Sequence, residues 1–148
     1  MFQSLIDLFS SSDESVDLNP NDAQAALAAI LVRIARADDN YAAEEQQMIT
    51  NVLKTRYLLS DADARNLKEN AEALEEQAPD TVRFTKIVKN AVPYEDRIGV
   101  VEALWRVALA DGSRDYEEDG FIRLVVKLLG VNDRDSGLAR QKVVAQID

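Results

Sequence analysis

Apolar residues recur along most of the chain at intervals of three and four, the spacing that lines one face of an α-helix. Ala23, Leu27, Ile30, Leu31 and Ile34 form the first strong stripe and predict a helix from Pro20 to about Ala37. Asn19 suits its cap, and Pro20 its first turn, where no N–H is needed. Met48, Ile49, Val52 and Leu53 predict a second helix from about Ala43 to Arg56. Ser60 is a cap candidate for a third helix running to about Gln77, the most polar of the set, with Leu67, Ala71 and Leu74 inward. Pro79 and Asp80 restart the chain ahead of Val82, Phe84, Ile87, Val88 and Val92. Pro93 opens a helix carrying Ile98, Val101, Leu104, Trp105, Ala108 and Leu109. Phe121, Ile122, Val125, Val126 and Leu129 mark the next, which Gly130 stops. Asn132 or Asp133 caps a last helix carrying Leu138, Val143 and Ile147. No segment alternates apolar and polar residues over a strand's length. The pattern predicts an all-α fold, a compact bundle of about seven helices.

Ahead of these lie residues 1–19. Phe2, Leu5, Ile6 and Phe9 fall at i, i+3, i+4 and i+7, which predicts a short amphipathic helix docked on the core. The alternative role is a membrane-surface or partner anchor, but the stretch lacks the basic face that anionic lipid attracts. Ser10–Asn19 reads as an acidic linker, and residues 20–148 as the helical domain, with halves of about 23–78 and 80–148.

Composition narrows the chemistry. The 148 residues contain no Cys and no His, which removes thiolate zinc sites, disulfides and Cys- or His-based nucleophile pairs. Cys-free composition fits a cytoplasmic location. Net charge is −10, against phosphate-driven nucleic-acid binding. Five of the acids, Asp7, Asp13, Glu14, Asp17 and Asp22, precede the first basic residue, Arg33. No apolar run reaches membrane-spanning length, and Met1–Phe9 lacks the basic start of a signal peptide.

The chain also repeats itself. Residues 33–49 align without a gap on residues 106–122, with seven of seventeen pairs identical: Arg33, Ala35, Ala37, Asp38, Glu44, Glu45 and Ile49 with their partners. Chance gives about one at average residue frequencies. The repeat predicts two helical hairpins related by a pseudo-two-fold axis. Each unit reads as helix, Ala-Asp, short loop, then Glu-Glu in the first turn of the next helix.

Glu44, Glu45, Glu117 and Glu118 sit where a helix N-terminus favours negative charge, and Glu45 and Glu118 occupy positions that can bond back to the cap. Asp38 and Asp111 sit at helix C-termini, where negative charge costs about 0.3–1 kcal/mol. Two offsets are open: hydrogen bonds from the following loop, or a hard cation such as Ca²⁺ or Mg²⁺ held by the Asp and Glu oxygens. An EF-hand is excluded. Counting from Asp111, its glycine and closing glutamate positions hold Tyr116 and Ile122; from Asp38 they hold Ala43 and Ile49.

Leu104-Trp105-Arg106-Val107-Ala108-Leu109-Ala110-Asp111-Gly112, followed by Tyr116-Glu117-Glu118, resembles the signature of the TerB-like (tellurite resistance protein B) family. Ala35-Arg36-Ala37-Asp38-Asp39, Glu44-Glu45 and Arg56-Tyr57-Leu58-Leu59-Ser60 are similar to the first half of that pattern, and the likeness covers about residues 23–135. The resemblance implies a helical bundle with internal two-fold symmetry and a divalent-cation role for Asp38, Glu45, Asp111 and Glu118, with Glu44 and Glu117 in reserve. It also implies a tellurite-resistance and stress-response setting, protein partners, and work near the inner membrane. The first unit departs from the pattern, with Asp39 in place of the usual Gly and Ala42 at the usual cap position.

Three functions are weighed. The first is a non-enzymatic, cation-responsive domain. The second is a helical protein-interaction module whose acids only cap helices. The third is a carboxylate–metal hydrolase, ranked last because helical di-metal sites ordinarily include His. No catalytic residue and no small-molecule substrate are therefore expected.

Overall fold

A computed structural model of the chain describes residues 20–37, 41–77, 81–110 and 116–147, with the side chains of 20–22, 116–119 and 147 left undescribed. The reading of residues 1–19, including the short helix and the Asn19 cap, lies outside these residues, as does the restart at Pro79 and Asp80. Within them the chain forms seven α-helices: α1 (Pro20–Ala35), α2 (Ala43–Tyr57), α3 (Asp61–Gln77), α4 (Thr81–Ala91), α5 (Tyr94–Ala108), α6 (Tyr116–Leu129) and α7 (Asp133–Ile147). The described residues contain no strand.

Helix α1 is the axis of the bundle and packs against α2, α3, α4, α5 and α6. Its sequence explains this position. Leu27, Ile30, Leu31 and Ile34 are fully buried, and Ala26, Ala28, Ala29 and Ala35 fill the faces between them. A helix apolar on all sides belongs inside, and alanine lets neighbouring helices approach closely. Helix α5 is the second pillar, burying Val100, Val101, Leu104, Trp105, Val107 and Ala108 against α1, α2, α6 and α7. Each fully buried Leu, Ile or Val contributes about 1.5–3 kcal/mol relative to exposure.

The helix ends follow local chemistry. The Ser60 Oγ accepts the Asp63 N–H at 3.1 Å at the start of α3. Of the two cap candidates for α7, Asn132 serves, its Oδ1 accepting the Asp135 N–H at 2.8 Å. Helix α6 stops at Gly130, whose φ of 78° lies in the left-handed region. Arg97 donates to the Val92, Lys89 and Leu129 carbonyls, so one cation covers the C-terminal ends of both α4 and α6. Helix α2 ends in a way the pattern does not foretell. Leu58 adopts φ 54°, ψ 48°, the conformation usually left to Gly or Asn, and is 91% exposed.

Two apolar positions face outward. Val82 lies two residues before Phe84, about 200° around the helix from the stripe that Phe84, Ile87 and Val88 bury. Leu138 is likewise exposed, because Ala139 and Val143, one helical turn apart, are the residues that α7 turns inward. Helix α1 is two residues shorter than the sequence predicts: after Ala35, Arg36 and Ala37 close into a turn on the Val32 and Ile34 carbonyls.

Candidate functional site

The first hinge joins α1 to α2, and its α1 side is held by ion pairs to α3. Arg33, near the end of α1, donates to Glu75 Oε2 from Nε at 3.1 Å and from a terminal nitrogen at 2.8 Å, and to the Thr81 hydroxyl at 2.7 Å. Arg36 donates to Glu75 Oε1 at 2.8 Å. One carboxylate with both oxygens engaged thus ties the last turn of α1 and the turn that follows it to α3. Its side chain is 14% exposed, so water screens these pairs far less than surface ones.

Beyond the hinge, Tyr41 packs its ring under Arg36, 4.9 Å from guanidinium carbon to ring centre. Its hydroxyl is buried and faces Glu72. Burial, then the Glu72 carboxylate beside it, pushes the phenol well above its ordinary range. Two residues after Ala42, the paired glutamates part company. Glu44 is exposed. Glu45 is fully buried, and its Oε1 accepts the Ala42 N–H at 3.2 Å. Ala42 has no side-chain oxygen to offer in return, so only the backward half of a capping box forms. That bond satisfies one N–H and places a carboxylate at the positive end of α2.

The structure therefore brings Glu45, Tyr41 and Glu72 to one side of the first hinge and sets Glu44 apart from them. Asp38 and Asp111 lie outside the described residues. Glu117 and Glu118 fall in the first turn of α6, as the repeat predicts, with side chains undescribed. Among the described residues no group of three or more acids is spaced to hold a metal ion. Glu72 and Glu75 are site residues that sequence reasoning passes over. Their signal is the polarity of α3: Glu72, Glu75 and Glu76 fall at i, i+3 and i+4 on a helix too polar to be held by apolar contacts alone. Trp105, expected in the core, is 5% exposed and lies beneath Arg140, 5.3 Å from guanidinium carbon to ring centre.

No described helix is long and apolar enough to cross a membrane. Searches of curated proteins and of solved structures find no match. The family model described as tellurite resistance protein TerB matches residues 24–141, which spans five of the seven helices whole, most of α1 and part of α7, both hinges and the two acid pairs. The chain belongs to the TerB family.

Proposed function

We propose that this TerB-family chain is a non-enzymatic, cation-responsive module whose hinges hold a divalent ion, Ca²⁺ or Mg²⁺, and thereby set the shape of a surface read by protein partners. The observation that carries this reading is the inward placement of Glu45. A carboxylate with no exposed surface, at the N-terminal end of α2 and seven residues past Asp38 in sequence, offers a hard cation an oxygen ligand on the hinge side of the helix. Glu72 and the Tyr41 hydroxyl add oxygen on the same side. Asp111 with Glu118 would form the second site, Glu44 and Glu117 serving from outside. Work at the cytoplasmic face of the inner membrane, in a tellurite or general stress response, belongs to the same proposal.

The alternative is an interaction module without metal, and one bond favours it: Glu45 Oε1 to the Ala42 N–H is what a capping residue makes. Calorimetric titration of chelator-stripped protein with Ca²⁺, Mg²⁺, Mn²⁺ and Zn²⁺ separates the two. Binding in the wild type, lost in an Asp38→Asn/Asp111→Asn double variant, is the expected result. No heat and no rise in melting temperature with any of the four ions would leave the acids as caps.

A further inference from the structure

Away from the hinges, α2 and α5 leave a cleft of about 390 Å³ between them. Its floor is apolar, built from Met48, Val52 and Ala103, and two arginines, Arg56 and Arg106, stand along it. The cleft runs on past Gly99, where a Cβ would come within 3.3 Å of the Arg56 guanidinium, into a depression of about 340 Å³ walled by Val92 and Pro93 and, at its far side, by Glu95 and Asp96, so an acidic occupant is favoured only at the Arg56–Arg106 end. The charges here are unlike those of the α1–α3 side. There Arg33, Arg36 and Lys68 are matched with glutamates. In the cleft, the carboxylate of Glu102 is taken by Lys142 at 3.0 Å. Arg106 meets the neutral Gln146, and Arg56 lies against the Tyr57 ring. Among the described residues neither arginine has a carboxylate within ion-pair distance, in a chain with ten more acids than bases.

An occupant matching this cleft is apolar along one side and acidic. Segment 1–19 of the same chain has that character: Phe2, Leu5, Ile6 and Phe9 at helical spacing, and Asp7, Asp13, Glu14 and Asp17 with no basic residue. Amphipathic segments dock in grooves through side chains at this spacing. The ten residues from Ser10 to Asn19 span up to about 33–36 Å, comparable with the diameter of a domain whose radius of gyration is about 15 Å. The leash is thus about as long as the domain is wide.

We propose that segment 1–19 occupies the α2–α5 cleft of its own chain, its apolar stripe on Met48, Val52 and Ala103 and its acids near Arg56 and Arg106. The segment then acts as an internal ligand, and an external partner of the same acidic, amphipathic kind must displace it.

The absence of cysteine makes a clean test. Ser4→Cys and Gln47→Cys in the full chain carry two spin labels, one on the segment and one on the exposed face of α2, one turn before the cleft residue Asn51. The expected result is one short, narrow distance distribution, unchanged when labelled protein is diluted with unlabelled protein. An Arg56→Gln/Arg106→Gln variant, checked for an unchanged helical spectrum, broadens and lengthens it, as does high salt. A second variant, Phe2→Ser/Phe9→Ser, leaves the domain untouched and releases the segment in the same way. A broad distribution in the parent protein overturns the proposal. So does a short distance lost on dilution, which places the segment on another copy, and so does a short distance that survives both variants.

Discussion

Removing the Glu75 carboxylate is the sharpest test of how the first hinge is held. Glu75 accepts three charge-assisted hydrogen bonds at 2.8–3.1 Å from two arginines, one on α1 and one in the turn after it, and the three side chains are 14–27% exposed. Breaking a buried ion pair from one side costs about 3–5 kcal/mol, because the cations stay behind without their partner. Partial exposure lowers this, and Arg36 retains the more exposed Glu76 at 3.5 Å. Glu75→Ala should therefore destabilise the fold by about 2–4 kcal/mol. For a chain of this size each kcal/mol lowers the melting temperature by about 2–4 °C, so thermal unfolding followed by circular dichroism should shift by about 4–16 °C. Asp61→Asn, which breaks the exposed pair to Lys54, should shift it far less. If the two variants lose comparable stability, the clamp is a surface ion pair like any other and the reasoning from burial fails.

Three further outcomes follow from the geometry. Leu58→Gly should stabilise the protein by about 0.5–1 kcal/mol in urea unfolding, since it relieves a left-handed leucine that makes little contact, offset by the greater freedom of glycine in the unfolded chain; a loss would show that Leu58 packs in solution. Gly130→Ala should cost about 1–2 kcal/mol by the same measurement, as φ 78° penalises a Cβ even though the nearest side-chain atom, Lys89 Cε, stands 3.4 Å away. Tyr41 should steepen alkaline unfolding: its folded pKa is raised, so the stability it contributes is complete below the unfolded phenol value near 10 and is lost as pH rises above it. Tyr41→Phe should flatten melting temperature against pH above about 10, with Tyr57, also raised by burial, supplying the remaining slope.

The helices were legible because their apolar stripes are strong and their ends carry ordinary signals: Ser60, Asn132, Pro93 and Gly130 sit where a reader of caps would place them. The exceptions have physical causes. Val82 lies about 200° around its helix from Phe84, and Leu138 about 100° from Ala139, so each is an apolar residue out of phase with the stripe it adjoins in sequence. Leu58 in the left-handed region leaves no mark in sequence, since leucine is a poor residue for that conformation and its neighbours hold it there. The site was half legible. The repeat pointed to Glu44 and Glu45 as a pair, but only the direction of the α2 axis relative to α1 decides that Glu45 turns in and Glu44 out. Glu72 and Glu75 lie on a helix more than thirty residues away in sequence, and no local pattern links them to Arg33, Arg36 and Tyr41.

A divalent cation held at the hinges by their acids should perturb the backbone around it. The most direct measurement is a set of ¹H–¹⁵N NMR spectra of the full chain, stripped of metal, titrated with Ca²⁺ and with Mg²⁺, and then returned with chelator. Saturable, reversible shifts concentrated in residues 38–45 and 111–118 are expected, with Ala42 and Glu45 among the largest, and with their loss at the first hinge in Glu45→Gln. Shifts spread over exposed acids, or identical in Glu45→Gln, would contradict it and leave Glu45 as the cap of α2.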